Sequence, residues 1–208
     1  MAVDSGRALV VLDLQRVVGP GGPWEVPGIE RILPSVRQLI GAFGSATVLT
    51  RHRLAHSGPG TWSAFAQRWA ALDEEPEWWD LLDEVSATMP QGASLIDKHT
   101  YSAYPAPELS ERLSGPATEL VLAGCETDCC VAATLFAAVD AGVPVSLVEN
   151  AVVGPDPESH SGLIAAARRL PEQVRVVTAS EALRRPYPAG GNPQKHGAPP
   201  SERGGANE

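Results

Sequence analysis

Leu120–Ala123 is an apolar run of the length of a buried strand. It breaks at Gly124, and from Val131 to Ala141 the chain turns Ala-rich with apolar residues at helical spacing. A strand with no polar face must be covered on both sides, and one that passes directly into a helix is the unit of a parallel sheet with helices packed on it. The same alternation runs along most of the chain. Ala8–Leu12, Ala46–Thr50, Ser94–Asp97, Glu119–Ala123, Pro144–Glu149 and Val174–Thr178 read as strands. Ile29–Phe43, Ala106–Leu113, Val131–Ala141 and Glu158–Leu170 read as helices, with Pro34 either kinking the first or marking its start. The expected fold is α/β: a three-layer sandwich with a six-stranded, mostly parallel sheet and helices on both faces.

The 208 residues fit one domain, 1–184, followed by a tail, 185–208, that holds five Pro, five Gly and no Val, Ile or Leu. Such a tail has nothing to bury and is expected to be disordered. The net charge of −9 speaks against a nucleic-acid partner, which would call for a basic surface. No 18-residue apolar stretch and no signal-peptide pattern is visible, so neither membrane insertion nor export is expected. Three cysteines, two of them adjacent, do not make a disulfide framework, and a cytoplasmic protein with reduced thiols is the expectation.

Residues 51–90 break the regular pattern. Four of the five tryptophans (Trp62, Trp69, Trp78, Trp79) crowd here, and seven carboxylates lie between Asp73 and Glu84. The segment is either a helical crossover with an acidic solvent face or an insertion that roofs a pocket and packs against a second copy of the chain. Trp62, Phe65 and Trp69 fall at helical spacing on one face.

In an open α/β sheet, ligands bind beyond the carboxyl ends of the strands. The first strand runs into Asp13, the third into Lys98, and the fourth leads to Cys129 and Cys130. A carboxylate, an ammonium and a thiol are thus brought to one rim. A thiolate can attack a carbonyl carbon, a carboxylate can take the thiol proton and return it to a leaving amine, and an ammonium holds the anions in place. A cysteine at the start of a helix, beside a lysine, is also expected to titrate below the free-thiol value. Each group alone has an ordinary reading as cap, surface charge or packing residue. A dinucleotide-binding fold lacks its signature, since Asp13-Leu14-Gln15-Arg16 stands where a G-x-G-x-x-G would follow the first strand.

Four segments in order, Leu9-Val10-Val11-Leu12-Asp13-Leu14-Gln15, Val48-Leu49-Thr50-Arg51, Lys98-His99-Thr100-Tyr101-Ser102-Ala103-Tyr104 and Gly124-Cys125-Glu126-Thr127-Asp128-Cys129-Cys130-Val131, resemble the isochorismatase-like cysteine hydrolases, relatives of nicotinamidase and N-carbamoylsarcosine amidase. The match covers roughly residues 7–183, and Asn150-Ala151-Val152 and His160 also fit. The resemblance implies a catalytic triad of Asp13, Lys98 and Cys130, with Cys129 at a variable position and a non-proline cis peptide at Cys125–Glu126. It implies substrate or oxyanion contacts at Glu126, Gln15, Trp62 and Tyr104, with Glu126 facing either a cationic or amide N–H part of the substrate or solvent. It also implies a homo-oligomer, dimer or tetramer. The metal-binding Asp-x-His pattern of nicotinamidases is replaced by Arg51-His52-Arg53-Leu54-Ala55-His56. No metal and no other cofactor is therefore expected. The function so implied is metal-independent, cysteine-dependent hydrolysis of a C–N bond in a small amide, ureide or lactam. The alternatives are a non-catalytic binding or scaffold member of the fold and a metal-dependent amidase of the nicotinamidase type.

Overall fold

The computed structural model of the chain describes residues 6–104, 106, 107, 109 and 119–184. Most of the expected helix 106–113 and the whole tail 185–208 lie outside the described residues. Six strands form one sheet: β1 (Arg7–Leu12), β2 (Thr47–His52), β3 (Ser94–Lys98), β4 (Glu119–Cys125), β5 (Val145–Val153) and β6 (Val174–Val177). Their order is β3-β2-β1-β4-β5-β6, and every pairing is parallel.

β1 shows why both faces must be covered. Leu9 and Val11 point into one core with Val36, Leu39 and Ile40, and Ala8, Val10 and Leu12 point into the other with Leu135, Leu163 and Ile164. The period of two in the strand distributes consecutive apolar residues between two layers. The helices that supply those layers are α1 (Leu33–Phe43), α4 (Ala132–Asp140) and α5 (Pro157–Ala167), with α2 (Thr61–Arg68), α3 (Asp83–Ser86) and α6 (Ala179–Arg184) between or after them. Pro34 occupies the first turn of α1, where its missing N–H costs nothing, and a separate 3-10 turn, Ile29–Arg31, precedes it. Of the two readings of Pro34, the helix start is the one observed.

At the amino ends of the central strands Arg7 and Glu119 form a buried ion pair at 2.7 Å. Arg7 also donates to the Ala182 carbonyl at 2.9 Å, and Ser146 donates to Glu119. The pair meets because Arg7 and Glu119 are in register across β1 and β4.

The sheet order reverses direction between β1 and β4. The chain runs outward from β1 through β2 to β3, then returns to the centre at β4 and runs outward the other way. The crevice beyond the carboxyl ends of β1 and β4 is the place such a sheet offers a ligand. Leu12 is in register with Gly124 at the end of this pairing. Gly124 has φ of +110°, and a Cβ there would lie 2.2 Å from the Leu12 carbonyl oxygen. Only glycine allows the two strands to approach so closely, and this approach brings the residues after Leu12 beside Cys125.

Candidate active site

The residues after each of these strand ends meet in the crevice. Asp13 follows β1 in a left-handed conformation, φ +50°, which few non-glycine residues adopt and which an aspartate tolerates best. Its backbone amide donates to Thr50 Oγ1 at 3.2 Å, and the Thr50 hydroxyl donates to Asp13 Oδ1 at 2.5 Å. Asp13 and Thr50 are both buried. Lys98, the last residue of β3, places Nζ 2.7 Å from Asp13 Oδ2. The same Nζ donates to Cys130 Sγ at 3.3 Å and to the Thr100 carbonyl at 3.1 Å. Its three N–H groups thus have three acceptors, which fixes the ammonium between carboxylate and sulfur.

β4 ends at Cys125, the Cys125–Glu126 peptide is cis, and Thr127–Val131 forms one wide π-type turn that runs into α4. The cysteine pair therefore sits on the turn between strand and helix, as the sequence suggests. Cys130 is buried, and Cys129 is half-buried. Asp13, Lys98 and Cys130 are in mutual contact, the Lys98 ammonium meeting both the carboxylate and the sulfur.

The thiol does not behave as its place on a helix start suggests. Its hydrogen bond with Cys129, burial and the Asp13 carboxylate hold Cys130 well above the ordinary thiol range, against the opposing pull of Lys98. The sequence expectation of a lowered value is corrected here. Lys98 faces a carboxylate as well as the sulfur, and a buried sulfur beside an anion prefers to stay protonated. Burial would lower the Lys98 value, but Asp13 and Cys130 outweigh it and the ammonium is held above its usual range. The resting site therefore contains a carboxylate, an ammonium and a neutral thiol.

A cavity of about 350 Å³ opens onto this group. Its walls include Trp24, Phe65, Trp69 and Tyr101, and its polar groups include Glu126 and His52. Phe65 lies in α2 and Trp69 directly follows it, so the Trp-rich insertion does roof the pocket. Trp79 from the same segment is fully buried and its indole N–H donates to Asp73 at 2.8 Å, so this tryptophan serves the core. Trp62 is not among the wall residues; it backs them, 4.8 Å from the Tyr101 ring and 6.0 Å from His52 between centroids.

Gln15 lines the cavity, but its carboxamide is already committed. It donates to the carbonyls of His52 at 3.2 Å and Trp79 at 2.8 Å and accepts from the His52 amide at 2.8 Å. It ties β1 to β2 and to the insertion. Tyr104 stands apart from the cavity and packs against the opposite core, whereas Tyr101, three residues earlier, lines the cavity with Cys129. Helical or strand spacing cannot tell the two tyrosines apart, because the chain after β3 is a turn. Glu126 lines the cavity; burial, then Asp128 and Asp13, raise its carboxyl above the usual range.

Thr50, the partner of Asp13, and Trp24, in the cavity wall, are site-forming residues that the sequence does not single out, and His52 stands in the same wall. Thr50 stands in one of the quoted motifs, but nothing in its type marks it as a partner of Asp13. His52 is 6 % exposed, and neither ring nitrogen makes a hydrogen bond of normal geometry, the Thr100 carbonyl exerting only a weak pull. Burial and the Lys98 ammonium push its value down to about 4, so its ring is neutral near pH 7. His56 is elsewhere, at the surface, with Nε2 2.5 Å from Asp73 Oδ2. Among the described residues no group of three or more His, Cys, Asp or Glu is arranged to hold a metal ion.

An all-parallel, doubly covered sheet with a carboxylate, a lysine and a cysteine at its switch point defines an α/β protein with its site at the carboxyl ends of the strands. The Isochorismatase domain model matches residues 7–181, and the chain belongs to the isochorismatase family. Similar solved structures include a cysteine hydrolase from Pseudomonas syringae pv. phaseolicola 1448A, with 17 % identity, a TM-score of 0.70, and coverage of 88 % of this chain and 94 % of that one. N-carbamoylsarcosine amidase from Thermoplasma acidophilum has 20 % identity and a TM-score of 0.64, covering 83 % and 96 %. Pyrazinamidase of Pyrococcus horikoshii, solved in complex with zinc, has 24 % identity and a TM-score of 0.60, covering 83 % and 99 %. No curated protein sequence matches the chain significantly. The likeness to these structures is one of fold, and the family is one of hydrolases that includes amidases.

Proposed function

We propose that the protein is a cysteine-dependent hydrolase of the C–N bond in a small amide, ureide or lactam. The observation that carries this reading is Lys98 Nζ standing 2.7 Å from Asp13 and 3.3 Å from Cys130, which sets base and nucleophile side by side at the end of a cavity. Asp13 takes the proton from the Cys130 thiol as the sulfur attacks the substrate carbonyl carbon. The carbonyl oxygen becomes an oxyanion facing the amide N–H groups of the strand-to-helix turn. Asp13 then gives its proton to the substrate nitrogen, the C–N bond breaks, and ammonia or an amine leaves a thioester on Cys130. Water adds to the thioester with Asp13 as base, and the carboxylic acid departs as the thiol is restored.

A neutral resting thiol supports this order of events, because proton removal by Asp13 is then a required step. Lys98 holds the Asp13 carboxylate in place at 2.7 Å and, as the thiolate forms, donates to the sulfur. Assembly into a dimer or tetramer, and a cytoplasmic setting, belong to the same proposal; sedimentation against the monomer mass of 21.9 kDa tests the assembly. The reaction is tested by ammonia release from a panel of small amides and ureides. Turnover by the wild-type chain, lost in Cys130→Ala, with a mass increase on the Cys130 peptide after acid quench, is the expected result. No turnover of any compound, together with no mass increase on the Cys130 peptide, favours the non-catalytic member.

A further inference from the structure

The cavity walls are aromatic and its charge is of one sign. Trp24 lies 5.9 Å from Phe65 with planes 51° apart, and 5.4 Å from Trp69 with planes 81° apart. Rings set at such angles form the corner of a box rather than a stack. Tyr101 contributes a further wall, and His52 lies 6.5 Å from it, nearly parallel. Among the described residues the lining includes three carboxylates, Asp13, Glu25 and Glu126, and no lysine or arginine. Lys98 is saturated by Asp13, Cys130 and the Thr100 carbonyl. Arg68 lies over Trp69 at 5.2 Å but is not among the lining residues.

Asp13 has its own counter-ion, and Glu25 accepts from the Gly21 amide at 3.0 Å on the exposed side. Glu126 differs from both. It is half-buried and its carboxylate makes no hydrogen bond or ion pair among the described residues. A carboxylate in that position destabilises the empty pocket unless a donor or a cation meets it. His52, buried and uncharged near pH 7, adds an aromatic surface without adding positive charge.

The geometry points to a substrate that carries an alkylammonium group: the box of Trp24, Phe65, Trp69 and Tyr101 receives the cation, and Glu126 is its counter-ion. Aromatic faces attract quaternary and alkylated ammonium groups through the ring quadrupole, and the attraction grows when the cation is desolvated. An anionic substrate would meet three carboxylates and no free lysine or arginine in the lining. A neutral alkyl group would fill the box but leave Glu126 unpaired. The proposal rests on the amide-hydrolase reading only in assigning the cation to the substrate; the cation site itself does not depend on it.

The test uses choline, its uncharged carbon isostere dimethylbutanol, and propionate, titrated against the full chain by tryptophan fluorescence. Choline is expected to bind at least about tenfold more tightly than dimethylbutanol, and propionate not measurably. Glu126→Gln is expected to weaken choline about tenfold and leave dimethylbutanol unchanged. Trp69→Ala is expected to weaken both. Equal binding of choline and its isostere, tighter binding of propionate, or a Glu126→Gln variant with unaltered choline affinity overturns the cation site. In parallel, ammonia release is compared for glycine betaine amide and for its carbon isostere, dimethylbutanamide. A kcat/KM ratio of about ten or more in favour of the cation supports the assignment, and similar rates for both overturn it. Selective choline binding with neither amide hydrolysed supports the cation site and counts against the hydrolase reading alone.

Discussion

Thr50 and Asp13 hold each other by a reciprocal pair of hydrogen bonds: the Asp13 amide donates to the Thr50 oxygen, and the Thr50 hydroxyl donates to the Asp13 carboxylate. The pair fixes both the left-handed backbone of Asp13 and the direction of its carboxylate. Hydrogen bonds to a charged group contribute about 1.5–3 kcal/mol. Thr50→Val keeps the shape and removes both. It is expected to lower kcat by roughly ten- to a hundredfold, with KM changed far less, because the carboxylate loses its aim at the reacting atoms. Thr50→Ser, which keeps the hydroxyl, is expected to restore most of the loss. A Thr50→Val enzyme with wild-type kcat counts against this role.

The adjacent cysteines separate cleanly by substitution. Cys130→Ala is expected to remove all turnover while circular dichroism and thermal midpoint stay close to wild type. Cys129→Ala is expected to keep most activity, since the sulfur that meets the Lys98 ammonium, at 3.3 Å, is that of Cys130. The reverse pattern moves the nucleophile to Cys129.

Thiol reactivity against pH tests the charge state of the resting site. Alkylation of Cys130 by iodoacetamide is expected to show a midpoint above the free-thiol value of about 8.5. Asp13 is one of the groups that raise it, so Asp13→Asn is expected to move the midpoint down. Lys98 opposes the rise, so Lys98→Met is expected to move the midpoint up. A wild-type midpoint below the free-thiol value, or shifts of the opposite sign, refutes this account.

Stability should fall on mild acidification through His52. Its folded value is about 4 against 6.5 for an ordinary histidine. Between those values the unfolded chain binds a proton that the folded chain refuses, so stability rises with pH there. The contribution is fully present above about 6.5 and is lost as pH falls toward 4. It amounts to at most about 3 kcal/mol. Denaturation midpoints measured across this window are expected to drop less steeply in His52→Gln than in the wild type. Parallel slopes in the two proteins disprove the assignment.

Gly124 offers a test of the fold itself. An alanine there would need φ of +110° and would place Cβ 2.2 Å from the Leu12 oxygen. Gly124→Ala is expected to cost roughly 3 kcal/mol or more, or to prevent folding. Gly142, whose φ is +78° with no atom near a built Cβ, is the control, and its alanine variant should cost distinctly less. Equal losses at the two positions show that the close approach of β1 and β4 is not what Gly124 protects.

The strands were legible because each is an apolar run closed by a turn residue, and the sheet is all-parallel because each run is followed by enough chain to cross over. Strand ends beyond the apolar run were less visible: Arg51 and His52 extend β2, and Asn150 to Val153 extend β5, because backbone pairing continues where polarity no longer announces it. The meeting of Asp13, Lys98 and Cys130 was legible because these residues end or follow strands or lie in the turn before α4. The pocket was not. Trp24 comes from the loop after β1, Phe65 and Trp69 from the insertion, and Tyr101 from the turn after β3. Their meeting depends on how three irregular segments fold over the sheet, and no periodicity in the sequence records that. The Cys130 thiol departs from the sequence expectation for a related reason, since helix position and a nearby lysine are sequence properties, whereas its contact with Cys129 and burial beside a carboxylate are not.

The central position of β1 has a kinetic consequence. Its two neighbours are β2 and β4, and the contact between Asp13 and Cys125 closes a loop of 112 residues. During synthesis β1, β2 and β3 emerge well before β4, so the strand that will lie innermost waits with one edge unpaired. Long-range parallel pairing of this kind is slow to form. The first half of the chain is therefore a nascent species that invites mispairing, and the meeting of Asp13, Lys98 and Cys130 comes into being only when the second half arrives to claim that edge.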